Sequence, residues 1–112
     1  MGIKEDFFDD ILVETVLHER ATIAEAEVLK KQIAAKYAEG YKKIIIDLSE
    51  CEFIDSTFLG VIVNTLKRVA KVNGDLKLVG FKPAVKSMFE LTRMFRVFES
   101  FTSVREAIKS FE

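Results

Sequence analysis

The chain has 112 residues, of which 49% are hydrophobic and 31% are charged, and its 17 basic and 18 acidic side chains give a net charge of −1. These proportions are typical of a folded globular protein and exclude an intrinsically disordered chain. A nearly neutral chain also has no overall field that would favour nucleic acid or a membrane surface, so we expect neither as a partner.

Two stretches of the chain differ in the sign of their charge. Acidic side chains dominate residues 1–27, and basic side chains dominate residues 67–96. The basic set consists of Lys67, Arg68, Lys71, Lys77, Lys82, Lys86, Arg93 and Arg96. Two interpretations are open: two solvated surfaces of opposite sign, or a basic face that binds an acidic partner.

One cysteine, Cys51, cannot form an internal disulfide, which fits a reducing compartment. The first residues lack the basic start and apolar run of a signal peptide, and no apolar stretch approaches the ~20 residues of a membrane span. We therefore expect a cytoplasmic protein. No segment rich in Pro, Gly or Ser divides the chain, so residues 1–112 are predicted to form one domain.

The first half predicts a strand pair followed by a helix. Residues 3–8 and 11–17 favour strands, with a turn at Asp9 and Asp10. Thr22 and Glu25 then predict a capping box, and Gly40 marks the end of the helix. The inner face of this helix has apolar side chains at steps of three and four residues: Ala26, Leu29, Ile33 and Tyr37.

The second half continues the alternation. Residues 43–48 form a continuous apolar run, which predicts a central strand covered on both faces. A helix with a stripe from Leu59 to Ala70 follows and ends near Asn73 and Gly74. Residues 76–81 predict another strand, Pro83 opens a third helix, and a final helix begins at about Thr102. Val97 and Phe98 predict a short edge strand.

This order of elements predicts an α/β fold: a mixed, mostly parallel sheet of four to five strands with about four helices packed on it. In such sheets functional residues gather where the carboxyl ends of strands lead into helices. The loop after residue 48 is one of these places.

Most catalytic sites are excluded because residues they need are missing. His18 is the single histidine, with no second His for a metal site. A spatial triad of Ser56, His18 and an aspartate stays open, but the G-x-S-x-G pattern of a nucleophile elbow is absent. The chain also lacks the phosphate-binding patterns G-x-x-x-x-G-K-[ST] and G-x-G-x-x-G. We therefore expect no enzyme activity, no metal and no cofactor.

The candidate site is the segment in which Asp55, Ser56 and Thr57 open a helix after the buried strand. One interpretation is purely structural, since Asp and Ser are both good N-caps. The other is a phosphoserine switch. A phosphate on Ser56 would meet unpaired N–H groups and the positive end of the helix dipole, and it would add about −1.5 to −2 charges with little damage to the fold.

The same segment resembles the signature of STAS domains, in particular of bacterial anti-sigma factor antagonists. Residues 44–49 match the family's hydrophobic strand and Asp-Leu-Ser, and residues 53–60, Phe-Ile-Asp-Ser-Thr-Phe-Leu-Gly, match its Phe-(Met/Ile)-Asp-Ser-(Ser/Ala/Thr)-Gly-Leu-Gly. Asn73-Gly74, residues 83–86, Phe89 and Phe95 also match. The likeness extends from about residue 11 to the C-terminus.

The resemblance implies a binding protein that switches partners. In the family, the unphosphorylated antagonist binds an anti-sigma factor that is also a serine kinase, and a sigma factor is released. The kinase then phosphorylates the serine after the motif aspartate, here Ser56, and a PP2C-type phosphatase removes the phosphate. By this resemblance Asp55, Ser56, Thr57, Phe58 and Thr22 contact the partner.

The chain departs from the family at four positions. Phe58 replaces a glycine and either anchors the interface or folds back onto the core. Glu19 replaces a glycine before the first helix, Thr22 replaces a partner-facing aspartate, and Arg93 stands where glycine is common. Alternatives therefore stay open: a STAS scaffold that is never phosphorylated in a signalling or transport complex, a small-ligand-binding module, or a hydrolase that uses Ser56.

Overall fold

The computed structural model describes residues 2–92 and 98–112. The elements in this part of the chain are β1 (Gly2–Phe8), β2 (Ile11–Leu17), β3 (Arg20–Ala21), α1 (Ile23–Ala38), β4 (Lys43–Asp47), β5 (Phe53–Ile54), α2 (Ser56–Ala70), β6 (Asp75–Val79), α3 (Pro83–Glu90), β7 (Glu99–Phe101) and α4 (Val104–Ser110). The predicted alternation is confirmed, and β3 and β5 are two short strands that the sequence did not predict. Within this part of the chain, no helix is both long enough and apolar enough to cross a membrane.

Five strands form the main sheet, in the order β1-β2-β4-β6-β7. β1 is antiparallel to β2, and the remaining neighbours are parallel. β3 and β5 form a separate parallel pair. The prediction of a mixed, mostly parallel sheet is confirmed.

Helices cover both faces of this sheet. Along β4, Ile44 and Ile46 point into the core shared with α1, α2 and α3, whereas Ile45 points to the smaller core under α4. The alternation follows from the two-residue period of a strand. All three isoleucines are fully buried, as a central parallel strand requires.

The predicted start and end signals of α1 are confirmed. Thr22 is the N-cap, and the Thr22 N–H donates to Glu25 Oε1 at 2.8 Å. Gly40, just past the helix, has a φ of 107°, a conformation that side chains with a Cβ rarely adopt. Pro83 opens α3 as its first residue, where its missing N–H is not needed.

The predicted edge strand at Val97 and Phe98 is wrong for Phe98, while Val97 lies outside the described residues. Phe98 is buried, with its ring centroid 5.3 Å from that of Phe89, so it belongs to the core rather than to the strand. The strand β7 begins one residue later, at Glu99, which pairs with Lys77.

One residue of the predicted basic face, Lys77, does not lie on the protein surface. Lys77 is buried under α4, with Nζ 3.3 Å from Glu99 Oε1, 2.6 Å from Ser110 Oγ and 4.2 Å from the ring centroid of Phe111. Because its charge is paired inside the fold, it cannot contribute to a surface. The predictions that concern Arg93, Phe95 and Arg96 lie outside the described residues.

Candidate functional site at the start of α2

The site begins where β4 leaves the sheet. After Asp47 the chain turns, and the Asp47 carboxylate accepts hydrogen bonds from the Ser49 N–H at 2.9 Å and the Ser49 hydroxyl at 2.6 Å. Gly80 makes this turn possible, because a Cβ at position 80 would lie 2.7 Å from Ser49 Cα, and its φ of 71° favours glycine. After this turn the chain returns to β3, the strand just before Thr22, and β5 pairs with it.

The short pair β3 and β5 joins the two helix starts. Ala21 pairs with Ile54 in a parallel register, and the Asp55 N–H donates to the Ala21 carbonyl at 3.2 Å. Because the strands are parallel, the residues that follow them, Thr22 and Asp55, leave the pair at the same end. Two predicted site residues that are 33 positions apart in sequence are thus placed side by side.

Asp55 has a structural role at the start of α2. Its backbone is extended, with φ −97° and ψ 178°, and its Oδ1 accepts the Phe58 N–H at 2.9 Å. This is the geometry of an N-cap, which typically stabilises a helix by about 1 kcal/mol. Asp55 is half-buried, so one carboxylate oxygen is committed to the cap while part of the residue reaches the surface.

Ser56 and Thr57 are exposed at the first two positions of the helix. The first intrahelical bond joins the Leu59 N–H to the Asp55 carbonyl at 3.0 Å, and Asp55 also takes the Phe58 N–H. Within residues 2–92 and 98–112, neither the Ser56 hydroxyl nor the N–H groups of Ser56 and Thr57 have a protein partner. These donors are available to an anion from outside.

Phe58 does not reach the protein surface, which corrects the expectation that it contacts a partner. Its side chain has no exposed area and is one of the largest fully buried side chains of the main core. Phe58 comes two positions after Ser56, and the helical turn carries it around to the opposite side, toward the sheet. The residue that replaces the family's glycine therefore anchors α2 in the core.

Other side chains at this rim were missed by the sequence analysis. Ile23, the first residue of α1, is 64% exposed, and the Arg20 guanidinium lies 4.3 Å from the ring centroid of Phe53. The spacing of Ile23 from Ala26 fits the buried stripe of α1, so no local signal marks it as exposed. The Arg20–Phe53 contact depends on the β3–β5 pairing. Strands of two residues are too short to show a recognisable pattern in the sequence.

The geometry gives no support to a nucleophilic or metal site. In the described part of the chain, no hydrogen bond joins Ser56 to His18, and no group of three or more His, Cys, Asp or Glu side chains could hold a metal ion. Burial raises the pKa of Cys51, whose Sγ donates to the Phe53 carbonyl at 3.3 Å, so this thiol is a packed core group. At the rim, the Thr22 N–H lowers the pKa of the Glu25 carboxyl.

Comparison with known proteins places this fold and motif in a family. Residues 12–107 match the STAS domain family. A Thermotoga neapolitana protein described as a candidate anti-sigma factor antagonist is 36% identical over 88 residues, which covers 78% of each chain. BtrV of Bordetella bronchiseptica, described in the same way, is 29% identical over 112 residues, covering 100% of this chain and 96% of BtrV.

A solved structure agrees with these matches. The crystal structure of a candidate anti-sigma factor antagonist from Thermotoga maritima superposes with a TM-score of 0.85 and 30% identity, covering 96% of this chain and 92% of that one. The sequence match spans most of the chain, and the described fold has the same architecture. The chain therefore belongs to the STAS domain family.

Proposed function

We propose that this protein is an anti-sigma factor antagonist, a cytoplasmic binding module without catalytic activity, and that phosphorylation of Ser56 switches its binding. In the unphosphorylated form, the rim around α2 binds an anti-sigma factor serine kinase, and the sigma factor is released. The kinase phosphorylates Ser56 and dissociates, and a PP2C-type phosphatase restores the binding form. One observation carries this proposal: the Ser56 hydroxyl is exposed at the first position of α2 and has no partner within the described chain.

The local geometry favours a switch that leaves the fold intact. A phosphate on Ser56 would lie beside the unpaired N–H groups of the first turn of α2 and at the positive end of its dipole. The Asp55 carboxylate, held by the Phe58 N–H, supplies like charge beside it and steers the phosphate outward. The modification changes the surface that a partner meets while the core under Phe58 stays packed.

The same charge would disfavour the complex. The rim offers apolar and stacked groups, Ile23 and the Arg20–Phe53 pair, that a partner can cover. When a partner covers this rim, a phosphate there loses most of its hydration and faces the Asp55 carboxylate, and both effects raise the free energy of the complex. Dissociation then follows from electrostatics, with no change of fold.

The test is binding and modification in the native cell. Tagged wild type, Ser56→Ala and Ser56→Asp serve as baits, with Ser100→Ala, at an exposed serine on β7 outside the site, as the matched control. We expect phosphate on Ser56 of wild type and an ATP-dependent serine kinase enriched on Ser56→Ala. Loss of that kinase from Ser56→Asp and no change with Ser100→Ala complete the expected pattern. Retention of the kinase on Ser56→Asp equal to that on Ser56→Ala would contradict the switch.

One observation favours a second candidate, a STAS scaffold that is never phosphorylated. Thr22 replaces the aspartate that faces the partner in the family, and its hydroxyl donates to Glu25 at 3.2 Å, so it is engaged within its own helix start. Phe58 no longer supports this candidate, because its ring is buried. A Ser56 peptide that is unmodified in growing and in stressed cells, with the same partners on all baits, would favour the scaffold.

A further inference from the structure

A groove of ≈ 370 Å³ lies between α1 and α2 and opens beside the candidate site. It extends along α2 from Ser56 and Thr57 to Arg68 in the last turn. The Arg68 guanidinium lies 4.2 Å from the ring centroid of Tyr37, near the end of α1, so the two helices run side by side in the same direction. From residue 56 to residue 68, at the rise of an α-helix, the groove is about 18 Å long.

Gly60 lines this groove and has no internal reason to be glycine. It lies inside α2, where glycine is less favourable than alanine by about 0.5–1 kcal/mol. A Cβ at position 60 would meet nothing within 4 Å, and Gly60 is not among the residues with positive φ. Neither packing nor backbone conformation requires the missing side chain. The missing side chain leaves the backbone of α2 open to close approach by a molecule in the groove.

The charged side chains along the groove form no ion pairs in the described part of the chain, and they are arranged by sign. Glu27 lies near the start of α1, at the same end as Asp55, whereas Lys30 follows one turn later and Arg68 lies at the far end. Within residues 2–92 and 98–112, Glu27, Lys30 and Arg68 form no ion pair. A complementary occupant therefore places a carboxylate toward Lys30 and Arg68, and a cationic or neutral group toward Glu27.

From these three observations we propose that the groove binds an amphipathic helix of the anti-sigma factor. The helix packs a small side chain against Gly60 and directs a carboxylate toward Arg68, next to the serine that the same partner modifies. A groove about 18 Å long accommodates about three helical turns, the usual scale of helix-in-groove recognition. The inference rests on the proposed function, because it takes the anti-sigma factor as the occupant.

The test measures the affinity of the purified anti-sigma factor retained by the Ser56→Ala bait for four variants of the full chain. Gly60→Leu fills the groove with a good helix former, so its Tm is expected to equal or exceed that of wild type while its Kd rises about 100-fold. Gly60→Ala adds one methyl group and gives a smaller loss. Arg68→Glu raises the Kd about tenfold or more. Lys67→Glu makes the same charge change one residue away, outside the groove, and stays within about twofold of wild type.

The outcomes separate this inference from the proposed switch. If Gly60→Leu and Arg68→Glu bind as tightly as wild type while Ser56→Asp loses binding, the groove proposal is overturned and the switch stands. If Gly60→Leu loses binding and Ser56→Asp does not, the groove proposal is supported and the switch is wrong. If neither wild type nor Ser56→Ala retains an anti-sigma factor, both proposals are overturned.

Discussion

The starts of α1 and α2 lie side by side at the end of the β3–β5 pair, but they differ in where their negative charge lies. At α1 the first turn contains its own carboxylate, since Glu25 accepts the Thr22 N–H. At α2 the carboxylate belongs to the cap, Asp55, and the first turn has no acidic residue and two exposed hydroxyl groups. Both starts therefore have one carboxylate nearby, but of the two only α2 leaves its first helical turn without an acidic side chain.

The difference continues into the core. The third residue of α2 is Phe58, fully buried, whereas the first residue of α1 is the exposed Ile23. The start of α2 is therefore fixed by packing on its inner side while its outer side stays available. Such a position holds Ser56 in one place, while its hydroxyl group has no partner in the described part of the chain.

The largest expected effect tests whether the start of α2 is anchored by the core. Phe58→Ala removes a fully buried ring and leaves a cavity, so we expect the free energy of unfolding to fall by about 3–5 kcal/mol. Chemical denaturation of the variant and of wild type measures this difference. Thr57→Ala, the exposed neighbour, is the control and should change stability by less than about 0.5 kcal/mol. A small loss for Phe58→Ala would mean that the ring does not anchor α2.

A second prediction contrasts the half-buried Glu25 with a carboxyl group fully buried under the middle of α1. Glu14 is fully buried and faces Glu5 across the β1–β2 pair, and Gln32 Nε2 donates to its Oε1 at 3.0 Å. Burial, together with the neighbouring Glu5 carboxyl, raises the pKa of Glu14 to about 10. Glu5 Oε2 and Glu14 Oε2 are buried without a partner, and one proton shared between the two carboxyls would satisfy both.

Because the pKa of Glu14 is higher in the folded state than in the unfolded state, folding takes up a proton between about pH 4.5 and pH 10. The contribution of Glu14 to stability is complete below about pH 4.5 and is lost as the pH rises toward 10. We expect Glu14→Gln to remove this slope and to stabilise the protein by about 1–3 kcal/mol near pH 8. Denaturation from pH 5 to pH 9 measures it, with the exposed Glu27→Gln as control. Parallel curves for wild type and Glu14→Gln would show that Glu14 folds ionised.

The third prediction concerns the cap itself. Asp55→Ala removes the acceptor of the Phe58 N–H, and we expect a loss of about 1 kcal/mol of stability, as for other N-cap residues. Asp55→Asn keeps an acceptor oxygen without the charge and should retain most of this stability. Comparing the affinities of the two variants for the anti-sigma factor separates the cap from the charge. If Asp55→Asn is as unstable as Asp55→Ala, the carboxylate charge rather than the hydrogen bond stabilises the helix start.

The smallest expected effect concerns a negative charge added at Ser56, in the first turn of α2. Ser56→Glu adds a negative charge to the first turn of α2, and we expect the Tm to rise slightly, by an amount equivalent to about 0.3–1 kcal/mol before the opposing charge of Asp55 is counted. Ile23→Glu adds the same charge to α1, where Glu25 already occupies the first turn, and should give no gain. Scanning calorimetry at low salt compares the two. Equal shifts would remove the distinction between the helix starts.

The sequence alone predicted the α/β class, the order of the main strands and helices, and a candidate site at the start of α2. Hydrophobic periodicity shows which strand is central, and the residue types at positions 55 and 56 mark a helix start, because capping and periodicity depend on residues a few positions apart. These local signals correctly predicted the cap geometry of Thr22 with Glu25. The family motif then indicated a function, which hydrophobic periodicity alone does not indicate.

The tertiary structure alone decided which way individual side chains point. Phe58 turns inward and Ile23 stays outside, although both lie in the first turn of a helix, because their surroundings come from strands far away in sequence. The two-residue pair β3 and β5 brings Thr22 beside Asp55, and the parallel helices create the groove at Gly60. Each of these features depends on long-range packing, which a local pattern does not encode.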